Sequence, residues 1–227
     1  MTDRICVAVA QETVCEALVV AGRVASQADV IEIRLDYLNE MLVTPFLAAI
    51  RKPLLFTNRP AWEGGRFAGE EDVRLAPLLE AVAQEAAYVD LELMAQAQSL
   101  KRLQAGIEHA STRLILSWHN FEKTPARPEL MTKLQAMQEK GAHIGKIVTM
   151  AHNFRDVLSV LQLQEDAARM QFPLIAFCMG QPGIISRLAT LELGGFMTYC
   201  SANDGGATAP GQLSVAALRE IVERIRG

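Results

Sequence analysis

The sequence predicts an α/β fold in which short buried strands alternate with amphipathic helices. Eight apolar runs rich in Val, Ile, Leu and Phe recur along the 227 residues, and most gaps between them have helical periodicity. Strands that are buried on both faces and separated by helices form parallel sheets. Eight such units in a chain of this length predict one closed (β/α)8 barrel, or TIM barrel, that spans residues 1–227 as a single domain. The structural alternative is an open doubly wound sheet, but the sequence has neither G-x-G-x-x-G nor G-x-x-x-x-G-K-[ST], the phosphate loops typical of that fold.

The predicted elements alternate regularly along the chain. The strands are predicted at 5–10, 30–35, 53–57, 88–91, 113–118, 144–149, 174–178 and 196–200. Apolar residues spaced three and four apart predict helices within 13–26, 73–84, 128–140, 154–169 and 213–225. In such a barrel the carboxyl ends of all strands open onto one face, where functional residues gather.

Lys146 is the most unusual residue of the predicted strands. It lies in the otherwise apolar run 144–149, and lysine is rarely buried without a partner. Removing an ammonium group from water is costly, and a lysine that sheds its proton inside a protein becomes a nucleophile able to form a Schiff base with a ketone. The alternative is that the side chain lies at a strand end and extends to water.

Polar residues follow most predicted strands at their carboxyl ends. In chain order they are Glu32, Arg34, Asp36, Asn58, Arg59, Glu63, Asp90, Glu92, Ser117, His119, Lys146, Ser186 and Arg187. Any one of them could be a strand cap or one half of an ion pair. Their convergence on one face of the barrel predicts an active site.

His119 and Lys146 lie on neighbouring predicted strands. An amine beside an imidazole suits proton abstraction next to a carbonyl that is held as an imine. Glu63 could orient either His119 or Arg59, and the sequence leaves both open.

Three arginines are expected at the same face: Arg34, Arg59 and Arg187. Guanidinium groups that converge indicate a clamp for a carboxylate or phosphate, although each could instead pair with a nearby acid. We expect some of the three to be paired and at least one to be left for substrate. The Gly-rich segment 203–212 predicts a lid with glycine hinges, or a plain surface loop, with Thr208 and Gln212 as its candidate ligand groups.

Composition excludes several classes of protein. The net charge of −4 and the lack of a Lys/Arg-rich run argue against a nucleic-acid surface, and no apolar run approaches the roughly 18 residues that span a membrane. The chain starts without a signal-peptide pattern, and its four cysteines, which show no C-x-x-C spacing, predict reduced thiols of a cytoplasmic protein. No Cys/His cluster or helical histidine pair is present, so we expect no metal.

Seven short motifs occur in order at barrel spacing. They are EIRLD at 32–36, FTNR with EGG at 56–59 and 63–65, VDLE at 89–92, SWHNF with TP at 117–121 and 124–125, KIVT at 146–149, MG through SR at 179–187, and APGQ at 209–212. Together they resemble the type I 3-dehydroquinate dehydratases of the shikimate pathway, over nearly the whole chain. The resemblance implies a (β/α)8 lyase without metal or cofactor, usually a homodimer, that converts 3-dehydroquinate to 3-dehydroshikimate and water in the third step towards the aromatic amino acids.

The same resemblance implies a role for each candidate residue. Lys146 would form a Schiff base with the C3 ketone, while His119, supported by Glu63, would take the C2 proton and then protonate the departing C1 hydroxyl. Arg187 would bind the substrate carboxylate. The remaining substrate-binding candidates would contact the ring hydroxyls, order the site or close over it: Glu32, Arg34, Arg59, Thr208 and Gln212.

Two departures and two rival functions accompany the resemblance. Thr208 stands where many members of the family have serine, and Ala8 stands where some have a serine near the substrate ring. A class I aldolase would also use a lysine imine in a barrel, but the histidine on the preceding strand favours a dehydratase. A non-catalytic barrel that binds a small carboxylate could lack either His119 or Lys146, and this chain has both.

Overall fold

Eight parallel strands form the wall of a nearly closed barrel. The computed structural model describes residues 4–203 and 209–227. The strands are β1 (Ile5–Val9), β2 (Val30–Arg34), β3 (Leu54–Thr57), β4 (Tyr88–Glu92), β5 (Arg113–Asn120), β6 (Ile144–Met150), β7 (Leu174–Met179) and β8 (Thr198–Ser201). Their order in the sheet is β7-β6-β5-β4-β3-β2-β1-β8, with every pairing parallel. The eight predicted strands and the barrel are confirmed.

The seam between β7 and β8 differs from the rest of the wall. Within the described ranges no ladder joins these two strands, and one backbone bond, from Phe196 N–H to the Leu174 carbonyl at 2.8 Å, links the segments at their amino ends.

Helices surround the barrel. They are α1 (Val14–Val24), α2 (Thr44–Ala49), α3 (Glu71–Ala83), α4 (Ala97–Ile107), α5 (Arg127–Glu139), α6 (Phe154–Leu161), α7 (Leu163–Arg169), α8 (Ile184–Glu192) and α9 (Val215–Arg226). Among the described helices, none is long and apolar enough to cross a membrane. The four cysteines are free thiols, and three of them are buried.

The helix predicted over 154–169 is interrupted at Gln162 and forms two helices, α6 and α7. At the interruption the Gln162 carbonyl accepts from Glu165 N–H at 3.2 Å and from Asp166 N–H at 3.4 Å, so a 3₁₀-type bond and an α-type bond share this acceptor. The sequence predicted no range for three of the described helices, α2, α4 and α8. In α4 the buried residues include Ser99, so the apolar stripe of that helix is incomplete in the sequence.

The barrel interior is built in layers, because successive side chains of a strand point to opposite faces. Apolar inward residues form a floor: Cys6, Val30, Leu55, Tyr88, Ile115, Ile144 and Ile175. Two positions further along five of these strands, towards the mouth, the inward residue is polar and buried: Glu32, Thr57, Asp90, Ser117 and Lys146. A second and larger apolar cluster fills the space between the outer face of the sheet and the helices. The floor thus separates the polar layer from the closed end of the barrel.

Candidate active site

Lys146 lies in the polar layer at the centre of the barrel. The residue is 4% exposed, so the alternative in which its amine extends to bulk water does not hold. Its Nζ donates to Asp90 Oδ2 at 3.2 Å and lies 3.9 Å from Glu32 Oε1. The sequence predicted an apolar strand for this amine and arginines at the same face, and the structure adds two carboxylates beside it. These carboxylates compensate a positive charge on Nζ.

Asp90 connects Lys146 to a buried ionic network. Its Oδ1 accepts bonds from Arg59 Nη2 at 2.7 Å and from Ser117 Oγ at 2.6 Å. Burial disfavours its charged form, but Arg59 and Lys146 outweigh this effect and hold the pKa of Asp90 below its ordinary value. Asp90 is therefore an ionised partner for the amine at neutral pH.

Arg59 is the hub of this network. Its Nη1 donates to Glu92 Oε1 at 2.5 Å and to Ser117 Oγ at 2.7 Å, and lies 3.4 Å from Glu63 Oε2. Burial alone would lower the pKa of Arg59, but the surrounding carboxylates raise it above its ordinary value. Arg59 is thus committed to carboxylates and orders the site from within the protein.

A second buried arginine supports the hub from outside the barrel. Arg74, on α3, donates from Nη1 to Glu92 Oε2 at 2.6 Å and from Nε and Nη2 to Glu71 at 2.8 Å each. No sequence signal points to Arg74, because it falls within a polar stretch of a predicted helix, far from any strand end.

His119 lies one inward position nearer the mouth than Lys146. Strand register pairs Ser117 with Lys146 and His119 with Val148. The Nδ1 of His119 is 2.9 Å from Glu63 Oε2, and no described residue hydrogen-bonds to its Nε2. Burial lowers the pKa of His119 well below its ordinary value, and Arg59, Lys146 and Arg34 act in the same direction. The imidazole is therefore neutral near pH 7.

Glu63 contacts both groups that the sequence left open, His119 at 2.9 Å and Arg59 at 3.4 Å. It reaches them from a turn closed by Gly64, whose φ of +76° favours glycine. A Cβ on Gly64 would lie 2.2 Å from the ring of Phe121, which stacks on His119 at 6.1 Å between centroids. Burial raises the pKa of Glu63 to about 8, against the opposing effect of Arg59.

The three arginines divide into paired and unpaired ones. Arg34 makes a two-bond ion pair with Asp36, at 2.8 and 2.7 Å. Arg187 has no carboxylate partner in the described part of the chain; it donates at 3.4 Å to the carbonyls of Tyr199 and Pro210, and its buried Nε has no partner. Burial lowers the pKa of Arg187 to about 10. An anion in the pocket would supply the missing counter-charge.

The remaining candidates have different outcomes. Glu32 is buried and accepts a bond from Thr57 Oγ1 at 2.8 Å. Gln212 lines the same pocket as Lys146, His119 and Arg187. Thr208 and half of the predicted lid, residues 204–208, lie outside the described residues. Ala8 is buried and offers no polar group.

Two aromatic residues of the pocket were missed by the sequence analysis. Tyr199 lies with its ring centroid 4.1 Å from Lys146 Nζ, and Phe177 lies with its ring centroid 4.5 Å from the Arg187 guanidinium. Both are inward positions of predicted strands, so strand alternation could have found them. No described group of three His, Cys, Asp or Glu residues could hold a metal ion.

These features define an α/β-barrel enzyme with a buried amine, a neutral imidazole and an unpaired arginine at its mouth. A family model described as Type I 3-dehydroquinase matches residues 5–227. The chain belongs to the type I 3-dehydroquinase family, whose members are hydro-lyases that dehydrate 3-dehydroquinate in the shikimate pathway.

Individual relatives agree with the family. The chain is 46% identical to a 3-dehydroquinate dehydratase of Desulfotalea psychrophila over 97% of each chain. A solved 3-dehydroquinate dehydratase from Geobacillus kaustophilus superposes with a TM-score of 0.91 at 28% identity, covering 100% of this chain and 92% of that one. The type I enzyme from Clostridium difficile, solved with covalently modified comenic acid, gives a TM-score of 0.88 at 28% identity, covering 98% of this chain and 92% of that one.

Proposed function

We propose that the chain dehydrates 3-dehydroquinate through a Schiff base on Lys146, with His119 as general acid and base. The observation that carries the proposal is the buried Nζ of Lys146, bonded to Asp90 at 3.2 Å and one inward position below His119. The relative from Clostridium difficile, solved with a covalently modified ligand, supports covalent chemistry in this family.

The first step joins Nζ to the C3 ketone and releases water. The product is a protonated imine, which keeps a positive charge where the ammonium was. Asp90 is ionised and already hydrogen-bonded to that nitrogen, and Glu32 Oε1 lies 3.9 Å from it. The charge of the iminium is therefore compensated without rearrangement. The iminium then draws electron density from C3, which makes the proton on the neighbouring carbon C2 acidic.

His119 moves the proton. Its Nδ1–H donates to Glu63 Oε2, which leaves Nε2 as the acceptor that faces the pocket. Nε2 takes the C2 proton to give an enamine, and then delivers a proton to the C1 hydroxyl, which departs as water. Hydrolysis of the conjugated imine consumes one water and frees Lys146 and 3-dehydroshikimate, so the net change is the loss of one water.

Arg187, the pocket arginine without an acidic partner among the described residues, is proposed to orient the substrate. Its guanidinium would bind the substrate carboxylate. Glu32, Arg34 and Arg59 would contact ring hydroxyls or hold those that do, and Gln212 and Thr208 would approach from the segment after β8.

Trapping the imine tests the proposal. Sodium borohydride added together with 3-dehydroquinate should inactivate the enzyme and leave one reduced adduct on Lys146, located by peptide mass spectrometry. Lys101, at an exposed position of α4, is an internal reference that should stay unmodified. An unmodified Lys146 in a preparation with normal turnover would refute the mechanism.

Variants of Lys146 and His119 should give different results in this assay. Lys146→Met should abolish both adduct and turnover. His119→Ala should still form adduct but lose most turnover, because the proton transfers come after imine formation. If His119→Ala turns over at the wild-type rate, the proton-transfer role is wrong.

We propose further that residues 1–227 act as one catalytic domain, as a homodimer in the cytoplasm. Family membership over residues 5–227 and the free buried thiols support this view. Sedimentation equilibrium of the full chain should give twice the monomer mass of 24.9 kDa. A monomer mass at micromolar concentration would contradict the dimer.

A further inference from the structure

Four inward residues from alternate strands form one layer around the amine. Glu32 comes from β2, Asp90 from β4, Lys146 from β6 and Tyr199 from β8. Barrels of this kind fill their interior with layers of four side chains, each contributed by every second strand. Two members of this layer are acids that compensate a charge on Nζ. The fourth, Tyr199, is aromatic and carries no charge.

The ring of Tyr199 faces the reacting nitrogen. Its centroid is 4.1 Å from Lys146 Nζ, well inside the roughly 6 Å at which a cation and an aromatic face attract each other. The phenol oxygen is buried and has no hydrogen-bond partner among the described residues. What Tyr199 offers to Nζ is therefore the face of its ring and not its hydroxyl.

The surroundings strengthen this contact. Tyr199 is 5% exposed and Lys146 is 4% exposed, so water screens the pair little. The neighbouring ring of Phe177 packs against Tyr199 at 5.9 Å between centroids and carries Arg187 on its own face at 4.5 Å. The two rings thus each hold one of the pocket's cations, the amine and the proposed carboxylate anchor.

We propose that Tyr199 is a further catalytic residue, whose ring face stabilises the positive charge that Nζ carries in the iminium. The inference rests on the Schiff-base function proposed above. The ring remains in contact with the same nitrogen when the ammonium becomes an iminium, and an aliphatic side chain of similar size would fill the space without attracting the charge.

The test replaces Tyr199 by aromatic side chains of the same shape whose ring faces attract a cation less strongly. Tyr199→Phe is the reference, and singly to multiply fluorinated phenylalanines are introduced at the same position in the full-length chain. The single-turnover rate of borohydride-trappable adduct on Lys146 should fall steadily with fluorination. Tyr199→Leu should lower it about ten-fold relative to Tyr199→Phe, a factor that corresponds to about 1.4 kcal/mol.

Tyr88 is the matched control. It is another buried inward tyrosine, on β4, but it lies in the apolar floor of the barrel. Tyr88→Leu should lower the urea midpoint of unfolding and leave the trapping rate of the folded enzyme unchanged. The fluorinated series preserves shape, so it remains informative if Tyr199→Leu does not fold.

The outcomes are distinct. A trapping rate independent of fluorination overturns the role of the ring. A loss in Tyr199→Phe as large as that in Tyr199→Leu also overturns it and assigns the role to the hydroxyl. Absence of any Lys146 adduct in the wild-type enzyme overturns the Schiff-base function itself.

Discussion

Replacing Glu63 by glutamine should make the pH dependence of stability smaller. Glu63 is buried against His119 and Arg59, and burial raises its pKa to about 8. Its Oε1 is buried without a partner in the described ranges, so the charged form gains no hydrogen bond at that oxygen. Glu63→Gln is permanently neutral and close in shape to the protonated acid.

The sign follows from the two pKa values. An unfolded glutamate has a pKa of about 4.3, so the folded state holds a proton that the unfolded chain releases. This stability is fully present below pH 4.3 and is lost as pH rises through about 8. Between pH 6.5 and 9 the loss amounts to about 2 kcal/mol at 1.36 kcal/mol per pKa unit. The lowered pKa of His119 affects stability below its ordinary value of about 6.5, outside this window.

Urea unfolding of both proteins at pH 6.5, 7.5, 8 and 9 measures the effect. The free energy of unfolding of Glu63→Gln minus that of the wild type should rise by about 2 kcal/mol across the series. Glu139→Gln, at an exposed position of α5, should give a constant difference. A constant or falling difference for Glu63→Gln would refute the assignment of a neutral Glu63.

Three further predictions concern binding and stability. Arg187→Gln should lower kcat/KM about 30- to 160-fold, mainly through KM, because a charged hydrogen-bonded contact of roughly 2–3 kcal/mol is lost; an unchanged KM in steady-state assays would contradict the anion site. Gly64→Ala should lower the free energy of unfolding by about 1–2 kcal/mol, because the φ of Gly64 is +76°. As the control, Gly22→Ala in α1 should raise the free energy of unfolding by about 0.5–1 kcal/mol. Equal urea midpoints for the two variants would argue against a strained turn at Gly64. Arg74→Met should cost about 3 kcal/mol because it leaves Glu92 with less compensation, and adding Glu92→Gln should recover part of the loss in the same assay; a double variant no more stable than the single one would contradict this pairing.

The strands could be predicted because a buried parallel strand is a short apolar run, whatever packs around it. Position along a strand then placed Lys146 and His119 at the mouth. The helix α4 was missed because Ser99 occupies one of its buried positions, where it donates to Glu71 at 2.6 Å. A side chain that is buried by hydrogen bonding leaves no trace in apolar periodicity.

The sequence could not predict which charged residues of the site pair with one another. Five acids and several cations lie within a few residues of strand ends, and their spacing in the chain is compatible with many pairings. The structure commits Arg59 to Asp90 and Glu92 while leaving Arg187 without an acid in the described part of the chain. These pairings depend on which inward-facing residues share a layer of the barrel. The layers depend in turn on strand register, which the apolar pattern of the sequence does not reveal.

The open seam of the wall has a consequence for ligand binding. Where β7 and β8 lack a ladder in the described ranges, the Arg187 guanidinium lies over the Phe177 ring of β7 at 4.5 Å and donates to the Tyr199 carbonyl of β8 at 3.4 Å, so it contacts both strands. The group proposed to hold the substrate carboxylate is thus also a tie between two strands. Occupancy of the pocket and closure of the wall should then be linked equilibria, and a saturating ligand should slow amide hydrogen exchange along β7 and β8 more than along β3 and β4.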